Sequence, residues 1–444
     1  MSHSSDRCEK QREASDKELR VGVLLYGARG HVNPALPLLR ELHHRGHHVF
    51  VYGFADTRDL LAPEDFTVHT LGEAHVPSGS LDQQLRQQVT GNISDNLRHL
   101  SRGFVSQLHA VTNDLPPLLK QHQLDILVHD QAVLGGYSSG EAAGVPVLIE
   151  LACALPIVHS SVNPPIALPA PARSLAVHRP MHLLQHCLVQ VLLWNPLRVE
   201  NRFRTDHGLS PKSILSLLRN RQRIISQLPA ELDIPREKEV HYVGPMDDLD
   251  ATSEDASNFP FEKLSDKNAL VFATFGSVSG SVEKGIERLR NVSVAFANLK
   301  LGYSSDLVIA LGSSSARNEL PFLPGATIVS GYAPQKALLR RTSLLVCHAG
   351  LNSVLEALAY GVPVLAIPYA GDHPQVASLL ERSGAGIALR RCKDITQQKL
   401  ASGMQRLLQE SKYKKAAEQM QGYISKYRGA KTAADLIERF VAGE

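Results

Sequence analysis

Apolar runs and helix-period segments alternate along most of the chain. Residues 21–26 are almost continuously apolar, which is typical of a strand buried on both faces of a parallel sheet. A leucine-rich segment with helical periodicity begins near Pro34 and ends at Gly46, and a second strand is predicted at residues 48–53. Residues 27–33 are predicted to form a turn. The pattern therefore predicts a right-handed βαβ unit at the start of the fold.

The alternation continues towards the C-terminus with one interruption. Further strands are predicted at residues 125–129, 146–149, 269–275, 306–311, 327–330, 343–347 and 363–367. A helix is predicted around residues 135–143, and residues 397–443 are helical and amphipathic. Parallel strands joined by helices make an α/β fold with doubly wound sheets, which bind ligands beyond the carboxyl ends of their strands.

Chain length and composition divide this pattern into two domains. A chain of 444 residues is too long to fold around a single hydrophobic core of ordinary size. Residues 1–19 are polar and have no apolar signal segment, so they are predicted to be a disordered tail. Acidic and small residues around 244–259 indicate a linker. We expect an N-terminal domain at 20–243, a linker at 244–264 and a C-terminal domain at 265–444, whose last helix packs back on the first domain.

Charge, cysteine and histidine usage exclude several classes of protein. The net charge is +3 and no dense run of Lys and Arg occurs, which argues against nucleic-acid binding. The five cysteines are odd in number and scattered, as expected for reduced thiols in a cytoplasmic protein. No apolar run is long enough to span a bilayer. The 20 histidines lack metal-ligand spacing, so no metal site is predicted.

The alternation is interrupted between residues 153 and 216. Prolines are dense there, and they are followed by "HRPMHLLQHCLVQVLLWNPL", a helical stretch that is apolar nearly all round. A core helix is the simplest interpretation. A lining for a lipophilic substrate and a peripheral contact with a membrane surface are the alternatives.

The segment "VCHAGLNSVLEALAYGVPVLAIPYAGDHPQ" contains a candidate anion site. A buried strand ends at Cys347, Gly350 permits close backbone approach, and Asn352 or Ser353 can cap the helix that follows. Free N–H groups and the helix dipole favour an anion at such a helix start, and His348 adds a donor. The chemistry fits a phosphate or diphosphate. An ordinary strand–turn–helix corner with a good cap is an equal alternative for this segment alone.

Residues on both sides of this segment favour the anion site. Upstream, Tyr332 can stack on a flat base and Gln335 can form hydrogen bonds beside it. Glu356 shares a helix face with the two capping candidates, where a carboxylate suits ribose hydroxyls. Asp372 and His373 follow the next strand, where polar groups suit a sugar. Base, ribose, diphosphate and sugar contacts would then follow one another in chain order.

The stretch from residue 332 to 375 resembles the signature of the UDP-glycosyltransferase superfamily, glycosyltransferase family 1. That family has the GT-B fold, in which two doubly wound Rossmann-like domains face a cleft. Tyr332 takes the place of the usual Trp that stacks on uracil, and Ser277 in "FATFGSVSG" matches a second phosphate contact, although "FGS" alone indicates only a strand-end turn. The resemblance implies that the donor is held by Ser277, Tyr332, Gln335, His348, Gly350, Asn352, Ser353, Glu356, Asp372 and His373.

A candidate catalytic pair lies in the N-terminal half. "GARGHVNP" resembles the family's Gly-His-x-x-Pro turn, and the resemblance makes His31 the catalytic base. A neutral imidazole on the loop after the first strand could take a proton from an acceptor hydroxyl. Asp130 ends another parallel strand and matches the family's Asp, which would fix the tautomer of the base. Asp125 precedes that strand and is expected at the far end. The alternative for His31 is a helix-capping role.

The layout of the chain is most similar to bacterial-type carotenoid glucosyltransferases. The resemblance implies an inverting, metal-independent transfer of a hexose, glucose by preference, from a UDP-sugar to a hydroxyl of a lipophilic molecule. Carotenoid-like compounds, sterols, polyketides and flavonoids are the acceptor classes expected between residues 72–104 and 151–200. No cofactor is implied, because the UDP-sugar is a co-substrate.

One departure from the family leaves the sugar open, and two other functions compete with transfer. His373 stands where many glucose-using members have Gln, so galactose remains an alternative. A sugar-nucleotide epimerase on the same fold would need no acceptor, but it leaves the apolar region 151–200 unexplained. A non-catalytic sugar-nucleotide or lipid binder would need neither His31 nor Asp130.

Overall fold

The structure is a computed structural model of the chain. It describes residues 18–81, 83, 93–156, 179–213, 223–233, 240–246, 259–276, 283–312, 323–369, 371–390 and 395–443, with the backbone alone at 93–100, 179–192 and 283–284. Most of the predicted tail and the central part of the predicted linker lie outside these residues.

The first sheet contains seven parallel strands within the described residues, in the order β3-β2-β1-β4-β5-β6-β7. They are β1 Arg20–Leu25, β2 His48–Gly53, β3 Val68–Thr70, β4 Ile126–Asp130, β5 Val147–Ala152, β6 Ile224–Ser226 and β7 Val240–Tyr242. The strands that apolar runs predicted in this half are present, with their ends shifted by at most three residues. The sequence did not indicate β3, β6 and β7, because three residues are too few to carry a periodic signal.

Five helices of the described chain surround this sheet. They are α1 Arg29–His44, α2 Ala55–Leu61, α3 Ile93–His122, α4 Gly136–Ala143 and α5 Arg179–Asp206. The predicted turn at residues 27–33 is wrong from Arg29 onward, because α1 begins five residues before Pro34. Proline has no N–H to donate, so Pro34 leaves the carbonyl of Gly30 without its donor within the helix.

The second sheet contains six parallel strands within the described residues, in the order β10-β9-β8-β11-β12-β13. They are β8 Ala269–Thr274, β9 Ser305–Ala310, β10 Ile328–Ser330, β11 Thr342–Cys347, β12 Val364–Ala366 and β13 Gly386–Ala388. The helices of this half are α6 Glu283–Ala297, α7 Gln335–Leu339, α8 Leu351–Ala359, α9 His373–Ser383, α10 Gln397–Gln409, α11 Ser411–Ile424 and α12 Ala430–Val441.

Both sheets carry an apolar core on each face. In β1, Val23 and Leu25 belong to the core on one face and Leu24 to the core on the other. Phe272 and Val271 divide in the same way in the second sheet. Strands buried on both sides have no polar face, which explains why they appear in the sequence as nearly continuous apolar runs.

The last helix of the chain packs on the first domain. Buried residues of α12, among them Ala433 and Ile437, share a core with the apolar face of α1. Glu438 accepts hydrogen bonds from Arg45 at 3.1 Å and lies 3.0 Å from His47 Nε2. The second half of the chain is therefore anchored to the first at a point remote in sequence.

The strand order reverses direction once in each sheet, between β1 and β4 and between β8 and β11. Such a switch point opens a crevice at the carboxyl ends of the strands, where doubly wound sheets bind ligands. The predicted site residues follow these strand ends. Among the described residues, no helix is both long and apolar enough to cross a bilayer.

Candidate active site

A histidine–aspartate pair joins the start of α1 to the end of β4. Asp130 is the last residue of β4 and is 1% exposed, and His31 is the third residue of α1 and is 18% exposed. His31 Nδ1 lies 2.7 Å from Asp130 Oδ2, and Asp130 Oδ1 accepts a hydrogen bond from the N–H of Ala132 at 2.9 Å. Because β1 and β4 are adjacent and parallel, the residues that follow their ends meet. Nε2 of His31 is then the nitrogen left to take a proton from a substrate.

The surroundings of His31 raise its basicity. Burial is the largest influence on its pKa and lowers it. The charge and hydrogen bond of Asp130, together with the charge of Asp372, outweigh burial and leave the pKa of His31 above its usual value. A buried carboxylate at this position also stabilises the imidazolium that forms when the ring takes a proton.

Asp372 brings the second domain to this pair. It precedes α9, and its Oδ2 accepts a hydrogen bond from the N–H of Leu155, just beyond β5, at 3.4 Å. Burial raises the pKa of Asp372, while the Leu155 hydrogen bond and the charge of His31 oppose that rise. A predicted sugar ligand and the predicted base therefore lie within electrostatic reach of each other across the cleft.

Asn352 links the two domains through both ends of its amide. Its Nδ2 donates to the carbonyl of Gly30 at 2.9 Å, and its Oδ1 accepts from Gln227 Nε2 at 2.8 Å. The Gly30 carbonyl is the one that Pro34 leaves without a helical donor. The prediction that Asn352 or Ser353 caps α8 is wrong, because the cap residue is Gly350 and both side chains lie inside the first turn. The Asn352 amide is used between domains instead.

His348 is held against backbone at the end of β11. A Cβ on Gly350 would lie 2.5 Å from its Nε2, and one on Gly276 would lie 3.0 Å from its Cε1, so only glycine fits at either position. The residue after it, Ala349, has a φ of 65°, a left-handed conformation that costs a side-chain-bearing residue about 1 kcal/mol or more. This turn directs the ring back over the strand end. Its Nδ1 is buried and has no hydrogen-bond partner in the described part of the chain.

Two neutral histidines and a tyrosine meet at this wall of the cleft. The rings of His348 and His373 lie edge to face with centroids 4.6 Å apart, and Tyr369 lies 5.3 Å from His373. Burial lowers the pKa of His348 to about 3 and that of His373 to about 4. His373 Nδ1, like His348 Nδ1, is buried with no partner among the residues described. The wall thus offers ring nitrogens to a ligand without adding charge at neutral pH.

The predicted base and ribose residues lie before α7, at its first residue and in the second turn of α8. Gln335 Nε2 donates to Glu356 Oε2 at 2.6 Å, so these two side chains are already fixed relative to each other. Tyr332 is 45% exposed, and the guanidinium carbon of Arg29 lies 5.9 Å from its ring centroid. An exposed aromatic face beside a glutamine suits a flat heterocycle.

The structure leaves one predicted site residue undescribed and adds others. Ser277 lies outside the described residues. Gln227, which follows the short strand β6, also donates to the carbonyl of Cys153. Sequence reasoning missed it, although the polar pair Ser-Gln directly after Ile224 and Ile225 could have suggested side chains at a strand end. Tyr369 was missed because nothing in "IPYAG" separates it from an ordinary loop tyrosine.

One group of potential metal ligands occurs in the described chain. Single ligand atoms of His31, Asp130 and Cys153 lie within 4.8 Å of one another. Two ligands of one tetrahedral zinc ion lie roughly 3.4 Å apart, given metal–ligand bonds of about 2.0–2.2 Å. The His31–Asp130 separation of 2.7 Å is shorter than that and fits a shared proton. The arrangement therefore favours a base with its orienting carboxylate over two ligands of one ion.

Two facing Rossmann-like α/β domains of this topology make a GT-B fold. A glycosyltransferase of kitacinnamycin, whose crystal structure is known, superposes with a TM-score of 0.71 at 18% identity, over 94% of this chain and 98% of that one. The family model described as "UDP-glucoronosyl and UDP-glucosyl transferase" matches residues 232–426.

Curated relatives extend the similarity over nearly the whole chain. The zeaxanthin glucosyltransferase of Pantoea ananas is 27% identical over 419 residues, 92% of this chain and 93% of that protein. The zeaxanthin glucosyltransferase of Pseudescherichia vulneris is 28% identical over 416 residues, 91% and 94% of the two chains. The family model over the C-terminal half and the curated relatives over nearly the whole chain together support the UDP-glycosyltransferase superfamily as its family and UDP-dependent glycosyl transfer as its activity.

Proposed function

We propose that this protein transfers a hexose, glucose by preference, from a UDP-sugar to a hydroxyl group of a lipophilic small molecule, with inversion and without a metal ion. The observation that carries the proposal is the buried His31–Asp130 pair, 2.7 Å apart and coupled electrostatically to Asp372 of the other domain. Base, orienting carboxylate and predicted sugar ligand meet there at one point of the cleft.

The proposed reaction is a direct displacement. His31 Nε2 accepts the proton of the acceptor hydroxyl while the oxygen attacks the anomeric carbon of the sugar. The bond from that carbon to the diphosphate oxygen breaks, and UDP leaves with the electron pair. Asp130 keeps the proton of the resting imidazole on Nδ1 and stabilises the cation that forms. Attack from the face opposite the leaving group inverts the anomeric carbon.

Neutral hydrogen-bond donors would receive the donor substrate. The start of α8, with Gly350 as its cap, offers free N–H groups to the diphosphate, and His348 adds a ring nitrogen. Tyr332 would stack on uracil, Gln335 and Glu356 would contact the base and ribose, and the pair at residues 372–373 would bind the hexose. UDP-sugar is a co-substrate in this scheme, and no resident cofactor is needed.

The acceptor is proposed to be an apolar alcohol bound by the N-terminal domain. Two relatives that align over nearly the whole chain are named for glucosyl transfer to zeaxanthin, a lipophilic diol. The apolar composition of region 151–200 fits such a molecule. Carotenoids therefore head the acceptor panel, followed by sterols, polyketides and flavonoids.

The test is acceptor-dependent release of UDP. UDP-glucose and UDP-galactose are each incubated with the panel, using wild type, His31→Ala and His44→Ala, the last being an exposed histidine at the other end of α1. We expect release with at least one acceptor, a loss of about 10²–10⁴-fold in His31→Ala, and wild-type rates in His44→Ala. An acceptor-independent change of the sugar would favour the epimerase, and UDP binding without turnover would favour the binder.

A further inference from the structure

Arg288 on α6 is a cation without an anionic partner among the described residues. Its guanidinium carbon lies 4.3 Å from the ring centroid of Tyr369. Its Nη1 is buried and has no hydrogen-bond partner, and no carboxylate of the described chain forms an ion pair with it. Burying a charged group without a partner is costly, so such a cation usually marks a place where an anion binds.

The position of Arg288 connects it to the donor side of the cleft. The hydroxyl of Tyr369 donates to the carbonyl of Phe275 at 3.4 Å, just before Gly276, which lies against the ring of His348. The rings of Tyr369 and His373 lie nearly perpendicular, with centroids 5.3 Å apart. Arg288 therefore belongs to the cluster that follows β8 and β11, the two strands flanking the switch point of the second sheet.

The two histidines of this cluster carry no formal charge, and the nearby carboxylate of Asp372, which acts electrostatically on His348, accepts the N–H of Leu155. His348 and His373 are both neutral at pH 7. Burial is the main cause of the lowered pKa of His373, and the positive charge of Arg288 lowers it further. A departing diphosphate, in contrast, carries at least two negative charges. Preorganised positive charge at a leaving group is among the largest contributions to catalysis.

We propose that Arg288 binds the diphosphate of the nucleotide sugar and stabilises the negative charge of the departing UDP. The assignment rests on the proposed function. Arginine suits the role, because its planar guanidinium donates two parallel hydrogen bonds to phosphate oxygens and stacks on an aromatic ring at the same time. In the unliganded protein the Tyr369 face holds the guanidinium in place.

The experiment compares ligands with and without phosphates. Dissociation constants for UDP and uridine are measured by calorimetry on wild type, Arg288→Gln, Arg288→Lys and Arg290→Gln, the last being an exposed arginine on the same helix. We expect Arg288→Gln to bind UDP about 10- to 100-fold more weakly, since charge-assisted hydrogen bonds to phosphate are lost. Its affinity for uridine should stay at the wild-type value. The affinity of Arg288→Lys for UDP should lie between those of wild type and Arg288→Gln. Arg290→Gln should bind both ligands as wild type does.

A structural role for Arg288 predicts a different outcome. If Arg288 only supports the fold, Arg288→Gln should have a lower melting temperature without ligand and should bind uridine and UDP more weakly by the same factor. That result would overturn the assignment. Removal of a half-buried cation that has no anionic partner among the described residues should instead leave the melting temperature unchanged or raise it. If wild type binds UDP and Arg288→Gln binds it equally well, the inference about Arg288 fails and the proposed function stands. If wild type binds no UDP, both fail.

Discussion

The two walls of the cleft differ in how their polar groups are satisfied. On the N-terminal wall, His31 and Asp130 bind each other, and the second carboxylate oxygen accepts a backbone N–H. On the C-terminal wall, the buried ring nitrogens His348 Nδ1 and His373 Nδ1 and the Nη1 of Arg288 have no hydrogen-bond partner in the part of the chain that the structure describes.

This difference matches the tasks proposed for the walls. A base must be oriented and tuned before the substrate arrives, and its partners therefore belong to the protein. Groups that bind a ligand need open hydrogen-bonding capacity, and leaving it unsatisfied in the empty protein has a cost in stability. The N-terminal wall is thus complete by itself, whereas the C-terminal wall is completed by its ligand.

Asp130→Asn tests the completeness of the N-terminal wall and has the largest expected effect. Loss of the carboxylate should reduce kcat by roughly 10²–10⁴-fold. The carboxylate also raises the pKa of His31, so the acidic limb of the kcat/KM profile should move to lower pH in the variant. Asp125→Asn, at the opposite end of the same strand, is the control and should retain the wild-type profile. If the acidic limb stays at the same pH in Asp130→Asn, Asp130 does not set the pKa of the catalytic base.

The C-terminal wall should lose stability as the pH falls. Unfolded histidines take up protons near pH 6.5, whereas folded His373 and His348 stay neutral down to about 4 and about 3. The unfolded state therefore binds more protons in this window, and unfolding free energy should fall by up to about 1.4 kcal/mol per pH unit for each ring. Urea unfolding at pH 7, 6 and 5 should give a shallower dependence in His373→Gln, with exposed His44→Gln as the control. Equal slopes in all three proteins would contradict the burial of the ring in neutral form.

The contact between the walls should have an intermediate effect. Asn352→Ala removes the hydrogen bonds to Gly30 and Gln227, and Gln227→Ala removes one of them. We expect kcat/KM to fall about 30-fold in Asn352→Ala, which loses two hydrogen bonds at about 1 kcal/mol each, and less in Gln227→Ala, which loses one of them. The double variant should lose less than the sum of the two single losses in free energy, since the shared bond is lost only once. Additive losses in free energy would mean that Asn352 and Gln227 act separately. Asn298→Ala, on the surface of the second domain, serves as the control.

Tyr332→Trp should give the smallest change and in the opposite direction. A larger ring offers more stacking area to uracil, so affinity for UDP and for uridine should rise together by about 2- to 5-fold. Tyr332→Phe keeps the ring and should bind like wild type. A gain for UDP without one for uridine would mean that residue 332 contacts phosphate and not the base.

The sequence predicted the sheets better than the helix ends. Buried parallel strands are apolar throughout, so the ends of an apolar run such as residues 48–53 predicted the ends of the strand. The start of α1 was missed because Pro34 was interpreted as a first-turn proline, whereas α1 extends five residues before it. Proline fits at that position because the carbonyl it leaves free, Gly30, finds a donor in the other domain.

The same reasoning separates what was predictable in the site from what was not. Residues in a fixed chain-order pattern, such as His348 and Glu356, could be proposed from spacing. Asn352 was assigned to a cap because helix-start asparagines usually serve there, and only the facing domain reveals its other use. Arg288 gave no signal, because an arginine on an amphipathic helix resembles a solvated surface residue until the tyrosine beneath it is seen.

The hydrogen bond from Asn352 to Gly30 has a consequence for hydrolysis of the sugar donor by water. Gly30 is next to the base, and Asn352 lies in the first turn of the helix that would hold the diphosphate, so this contact joins the base directly to the donor side of the cleft. In the proposed reaction, separation of the domains would break this bond and take His31 out of line with the donor at the moment when water could enter. An open state that admits solvent would then also be a state without an aligned base, which would limit hydrolysis of the activated sugar.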